Sequence, residues 1–186
     1  DEEIAAPPPP PPPLSSLLET GGISLPEPTI KGTPAGGEVL TGTDGNDVIY
    51  GGGGGGDEFF GGLGDDTYIV TENNTRIGEA YGGGYDTIYI AADTLVVASE
   101  VEEFVLLPEA RFLMANRYDN AIHGNDSDNV LKAGGGNDSI WGKGGNDEIW
   151  GGPGDDEIWG GDGIDTAAYK GNMANYDIAF SPDGSS

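Results

Sequence analysis

The chain has 186 residues, 35 of them Gly and 13 Pro, so about a quarter of its positions are backbone-special and an ordinary helical or α/β domain is excluded. With 33 Asp and Glu against 7 Lys and Arg the formal net charge is −26, which repels nucleic acid and anionic membranes and suits a cation partner. Only 35% of the chain is apolar and it has no cysteine, so disulfides, thiol catalysis and cysteine-based zinc sites are excluded, a sparse core needs help beyond burial, and oxygen ligands are the chemistry on offer.

The chain opens on Asp1, Glu2 and Glu3, the opposite of a basic signal-peptide start, and no stretch approaches the length of a membrane span. It lacks an initiator Met and reads as a processed product or a piece of something longer. Residues 7–13 are seven consecutive prolines, a predicted polyproline II rod. From there to Glu38 there is no helical or strand period, apart from Leu14, Leu17 and Leu18, which have the spacing of one helical turn. Residues 1–38 are accordingly a Pro-rich linker or a strap docked on a surface or partner.

A nine-residue repeat follows. Residues 42–50 read GTDGNDVIY, 52–60 GGGGGDEFF and 61–69 GGLGDDTYI, with one extra residue at Gly51. The register returns at 133–141 (AGGGNDSIW), 142–150 (GKGGNDEIW), 151–159 (GGPGDDEIW) and 160–168 (GGDGIDTAA). Two degenerate copies precede it, 115–123 and 124–132, with Asn120 and Asn129 where the others carry Asp. The common pattern is G-G-x-G-x-D-x-U-x, where U is large and apolar.

The spacing has a physical reading. Six residues make a turn and three a strand, in which position eight (Ile49, Phe59, Tyr68, Ile122, Leu131, Ile140, Ile149, Ile158, then Ala167) points inward. A three-residue strand cannot bury itself, so successive nonapeptides alternate between two parallel sheets and one coil takes two repeats. The turn glycines let backbone carbonyls converge, and the position-six Asp adds a carboxylate. One turn supplies too few oxygens for calcium, so the site belongs between turns one coil apart. The candidate ligands are Asp47, Asp57, Asp66, Asp138, Asp147, Asp156 and Asp165. Their expected pairs are Asp47 with Asp66, Asp138 with Asp156, and Asp147 with Asp165, while Asp57 needs a partner from the irregular region.

These motifs resemble the RTX, or hemolysin-type, calcium-binding nonapeptide repeat of secreted bacterial proteins. The resemblance implies an all-β, right-handed parallel β-roll with calcium ions between stacked turns, exported unfolded by type I secretion and folded on external calcium. Asn120 and Asn129 carry no formal charge, so sites near them should be weak or absent, and about four to seven ions are expected.

Residues 39–70 and 115–168 are then two repeat blocks. Between them, 71–114 keeps strand-like runs (DTIYIA from 86, TLVVA from 94, EFVLL from 103 and RFLMA from 111) with turn signals at Gly82–Gly84 and Pro108, and reads as wider coils continuing the sheets or as a β insertion. Residues 169–186 resemble the first strand of the family's C-terminal cap, cut before its return strand and before the family's secretion signal.

Nothing in the pattern points to catalysis. His123 is the sole histidine and reads as a surface residue without a second base, and there is no nucleophile elbow, zinc motif or phosphate loop. Adjacent acids such as Asp65–Asp66 and Asp155–Asp156 resemble a glycosidase pair, but the repeat register gives the second of each to calcium. Trp141 and Trp159, both at position nine, should stack on one outer face and Trp150 lie on the other, as a stiffening ladder or an adhesive surface for sugar, a neighbouring domain or another copy. Crowded carboxylates and glycine entropy should leave the metal-free chain unfolded. Roughly millimolar calcium contributes on the order of 1 kcal/mol per ion. The expected role is a secreted calcium-dependent β-roll module of a larger extracellular protein, with a self-assembling fibre or surface layer as the alternative.

Overall fold

The computed structural model describes residues 23–92, 95–97 and 100–168. The polyproline rod, the Leu14, Leu17 and Leu18 turn and the cap strand expected over 169–186 lie outside them. Among the described residues every regular element is a strand. In chain order these are β1 Ile30–Lys31, β2 Val39–Thr41, β3 Val48–Tyr50, β4 Glu58–Phe60, β5 Thr67–Val70, β6 Thr75–Ile77, β7 Thr87–Ile90 and β8 Leu95–Val97. Then come β9 Glu103–Leu106, β10 Phe112–Met114, β11 Ala121–His123, β12 Val130–Lys132, β13 Ser139–Gly144, β14 Glu148–Trp150, β15 Glu157–Asp162 and β16 Thr166–Ala167.

Odd and even strands separate onto opposite faces of a solenoid. One face is a single parallel sheet of eight strands, β1-β3-β5-β7-β9-β11-β13-β15; the other is two parallel sheets of four, β2-β4-β6-β8 and β10-β12-β14-β16. The alternation follows from strand length: three residues bury one apolar side chain, and only stacking turns those single side chains into a core. Ile30, Ile49, Tyr68, Ile88, Phe104, Ile122, Ile140 and Ile158 stand in one file across the long sheet. Opposite them run Leu40, Phe59 and Ile77, then Leu113, Leu131, Ile149 and Ala167. This is the all-β parallel roll expected from the repeat, with the position-eight residues from Ile49 to Ile149 forming its core, Ile158 partly buried against it and Ala167, expected to point inward, exposed on the last strand described.

Successive strands from Glu103 through Ala121 and Ser139 to Glu157 are offset by 18 residues, the two-repeat coil. The offset is 19 from Val48 to Thr67, 20 from Thr67 to Thr87 and 16 from Thr87 to Glu103. The long sheet runs through these uneven coils unbroken, whereas the opposite face changes sheets between β8 and β10. Outside the long sheet, Leu25 is buried with Tyr50, Ile69 and Leu107, and Ile23 packs beside them, so the start of the described chain lies across the sheet's outer surface.

Further along that outer face His123, Trp141 and Trp159 form a stack, with centroid separations of 4.6 and 4.9 Å and interplanar angles of 8° and 3°. Trp150 lies on the opposite sheet, with the Lys132 ammonium 4.7 Å from its ring centre. The sequence expectation for the tryptophans is met. His123 is more than a surface residue: it is the first rung of the ladder, 3.3 Å from Glu103 Oε1 and only partly exposed.

Candidate metal centre

Stacked turns approach so closely that side chains are excluded. Gly152 has φ 112° and a Cβ there would run into the carbonyl oxygen of Gly134 one coil away; at Gly154 it would meet that of Gly136. Carbonyl oxygens thus line the edges of the roll, where the position-six acids arrive.

Each acid reaches back to the preceding coil. On the edge before the long sheet, Asp47 N–H donates to Asp66 Oδ1 at 2.8 Å, Asp66 N–H to Asp86 Oδ1 at 2.8 Å, and Asp86 N–H to Glu102 Oε2 at 2.8 Å. Farther along, Asn120 N–H donates to Asp138 Oδ1 at 2.9 Å and Asp138 N–H to Asp156 Oδ1 at 3.1 Å. On the other edge Glu38 N–H donates to Asp57 Oδ1 at 2.9 Å, Asn129 N–H to Asp147 Oδ1 at 2.8 Å and Asp147 N–H to Asp165 Oδ1 at 2.9 Å. The three expected pairs are therefore brought together. Asp57 has an acid from the irregular region near it, Glu72, whose pKa is raised first by burial and then by the Asp57 charge.

One carboxylate oxygen of each is satisfied in this way, and the other often is not. Asp66 Oδ2, Asp86 Oδ2, Asp138 Oδ2 and Asp147 Oδ2 are buried without a hydrogen-bond partner, as are Asn120 Oδ1 and Glu72 Oε1. Burying an unpaired charged oxygen is costly, so such a row calls for a cation. The donors present are carboxylates and, beside them, backbone carbonyls, the all-oxygen set that calcium takes six to eight at a time. The residues fit the ion.

Electrostatics point the same way. Burial first, and then neighbouring acids, push Asp138 up to about 7, Asp147 to about 6 and Asp86 to about 6, and raise Asp66 and Asp156. Asp47 differs: its Oδ2 accepts from Thr43 N–H at 2.6 Å and Thr43 Oγ1 at 2.8 Å, its Oδ1 from Thr29 Oγ1 at 3.1 Å, and these bonds hold its pKa low. Asp47 already has the Oδ2 partners that Asp66, Asp86, Asp138 and Asp147 lack.

Sequence reasoning missed two features. Position-five side chains form a second series: Asp119 Oδ1 accepts from Asn137 N–H at 2.7 Å, Asp128 Oδ1 from Asn146 N–H at 2.7 Å, and Asn137 Oδ1 from Asp155 N–H at 2.9 Å. Asp65, the first acid of an adjacent pair, stitches turns together in the same way, its Oδ1 accepting from Tyr85 N–H at 2.9 Å. The other omission is a set of acids in the irregular coils, Glu79, Asp86 and Glu102. Asp86 had a readable signal, since residues 81–89 read YGGGYDTIY, a repeat without its first glycine. Glu79 had none, because it reaches the carboxylate file from a connection of non-repeat length. One ligating oxygen each from Asp66, Glu79 and Asp86 lie within 4.8 Å of one another. Burial and the nearby Asp86 push Glu79 up to about 7.

Comparison with known proteins agrees. The family described as the RTX calcium-binding nonapeptide repeat, four copies long, matches residues 35–68, 114–148 and 133–167. Among curated proteins, the chain is 35% identical over 88 residues to a Rhizobium meliloti (strain 1021) protein named Endo-1,3-1,4-beta-glycanase ExsH. That match covers 47% of this chain and 19% of the relative. No solved structure matches.

Proposed function

We propose that this chain, an RTX calcium-binding repeat protein, is a secreted module that stays unfolded where calcium is scarce and becomes a rigid roll outside the cell. The observation that carries the reading is the row of buried, unpartnered carboxylate oxygens between stacked coils. Asp66, Asp86, Asp138, Asp147, Asp156 and Asp165, with Asp57 beside Glu72, hold calcium between coils, and Asp47 contributes less because hydroxyls and an amide already occupy it. Calcium supplies positive charge and oxygen coordination that link one coil to the next. The chain does the rest: glycine turns let carbonyls approach, Oδ1 atoms orient each carboxylate through the preceding coil's N–H, and the apolar file excludes water from behind the site.

Without metal those charges oppose one another, and folding waits for calcium. Cytosolic calcium is too low to drive it and extracellular calcium is sufficient, so export through a type I channel and folding are separated in space. The module serves a larger extracellular protein as a stabilising and presenting element, and a polysaccharide-cleaving enzyme is one candidate, after the name of the relative. No catalytic role is assigned to the coils.

The alternative, self-assembly into a fibre or surface layer, is favoured by one observation: Trp159 is 45% exposed and Ile164 80% exposed on the last coil described. The test is far-UV circular dichroism with light scattering during a calcium titration of chelated protein, magnesium serving as control. A coil-to-β transition near millimolar calcium without scattering supports the module. Growing particles that Trp141→Ser and Trp159→Ser abolish support assembly, and a fully folded metal-free chain overturns the metal-driven reading.

A further inference from the structure

The coil from Thr67 to Thr87 advances 20 residues where the later repeats advance 18, and it carries Glu79 against the carboxylate file. Asp66 and Asp86 are each 1% exposed and the Oδ2 of each has no hydrogen-bond partner. Glu79 is held in place from two directions, its Oε1 accepting from Gly61 N–H at 3.2 Å and its Oε2 from Ala80 N–H at 3.3 Å. The Tyr68 hydroxyl is likewise buried and unpartnered, and it converges with Asp66 Oδ2 on Gly61, where a Cβ would collide with both. At Gly61 an orphaned Asp66 oxygen, the orphaned Tyr68 hydroxyl and the Glu79 carboxylate therefore meet, and a carboxylate oxygen of Asp86 lies within 4.8 Å of those of Asp66 and Glu79.

We propose that Asp66, Glu79 and Asp86 form a three-carboxylate calcium site, distinct from the two-acid sites of the regular repeats and the tightest in the chain. The inference rests on the calcium-binding reading and deepens it. Glu79 and Asp86 lie outside the residues matched by the repeat family, so the repeat pattern itself does not supply this ligand set. All its donors are oxygens, which selects a hard cation. Calcium fits better than magnesium, because a buried cluster of carboxylates suits an ion with variable coordination rather than one that retains several waters in strict octahedral geometry. Affinity in oxygen sites rises with the number of charged ligands, so this site fills first as calcium rises. It fixes the irregular coil to the first repeat block at the point where the repeat spacing fails.

The test counts ions and measures each step on the full chain: native mass spectrometry for stoichiometry, titration calorimetry for affinity, and circular dichroism for folding. Glu79→Gln is compared with wild type and with Asp156→Asn in the second block. The expected result is that Glu79→Gln loses the tightest calcium step, weakened about tenfold or more, and one ion at limiting calcium, while the coil-to-β transition persists. Asp156→Asn should keep the tightest step. An unchanged ion count and tightest step in Glu79→Gln overturn the proposal even if wild type binds calcium as expected; a wild type that binds none overturns the broader reading instead. If Glu79→Gln fails to form β structure at saturating calcium, Glu79→Asp decides, because it keeps the charge and withdraws it by one methylene. A weakened first step in that variant supports the site, and an unaltered one overturns it.

Discussion

Replacing Asp138 by Asn should have opposite effects on the calcium-bound and calcium-free roll. Asp138 lies between Asn120 and Asp156, accepting the N–H of the first at 2.9 Å and donating its own to the second at 3.1 Å. An amide preserves both bonds, so the change is confined to Oδ2, which is buried without a partner. With calcium bound, the variant lacks one charged ligand oxygen, an interaction of about 1.5–3 kcal/mol. The calcium midpoint of the second block should accordingly rise about ten- to a hundredfold. Without calcium the sign reverses, since burial pushes Asp138 up to about 7 and the neutral amide escapes that penalty. The assays are far-UV circular dichroism and tryptophan emission against free calcium, the emission reporting on Trp141 in β13, the strand that follows directly on Asp138. An unchanged midpoint would refute the reasoning.

Other outcomes follow from the same geometry. Glu79 and Asp138 at about 7, and Asp86 and Asp147 at about 6, stand above their ordinary values, so the folded metal-free roll holds protons that the unfolded chain has released. Its stability should fall as pH rises from about 4 through about 7, read as loss of β structure in chelated protein; a gain over that window would contradict it. Gly152→Ala should cost about 1–3 kcal/mol in calcium-saturated thermal melts, because φ is 112° and the new Cβ meets a backbone carbonyl, whereas Gly82→Ala, with no atom within 4 Å, should cost less. Trp141→Ala removes two ring stacks and should cost about 1–3 kcal/mol, against about 1 kcal/mol for Trp150→Ala, which loses one cation contact; equal losses would show that the ladder adds nothing.

The regular coils were legible because one repeat unit encodes every level at once: a glycine turn, an acid and a single inward apolar residue. Nothing beyond the period was needed to place Ile140 beside Ile158 or Asp138 beside Asp156. Legibility failed where the period did. Thr67 to Thr87 and Thr87 to Glu103 keep the strands of the long sheet in register while their connections lengthen and shorten, and sequence spacing carries no information about where a connection's side chains return. Glu79 and Glu102 became neighbours of the file only through three-dimensional closure. The role of position five was hidden for another reason: Asp119 and Asn137 look like exposed polar turn residues, and only the one-coil offset shows each accepting an amide from the next turn.

The asparagines show how the roll crosses its own break. Asn120 Nδ2 donates to Val101 O at 2.9 Å, and Asn125 Nδ2 donates to Leu107 O and Ala110 O, both at 2.7 Å. Asn129 accepts from Asn125 N–H at 2.9 Å and returns a bond from its Nδ2 to Asn125 Oδ1 at 3.1 Å. A carboxylate could make none of the four Nδ2 bonds. The irregular coil leaves carbonyls pointing inward where the opposite face changes sheets, and an amide satisfies them while removing a charge from the file. Neutral stitching therefore occupies the junction, and charge that requires a cation is kept to the coils on either side. The two acidic files stay short, and the coil between them is joined to its neighbours by hydrogen bonds from neutral amides.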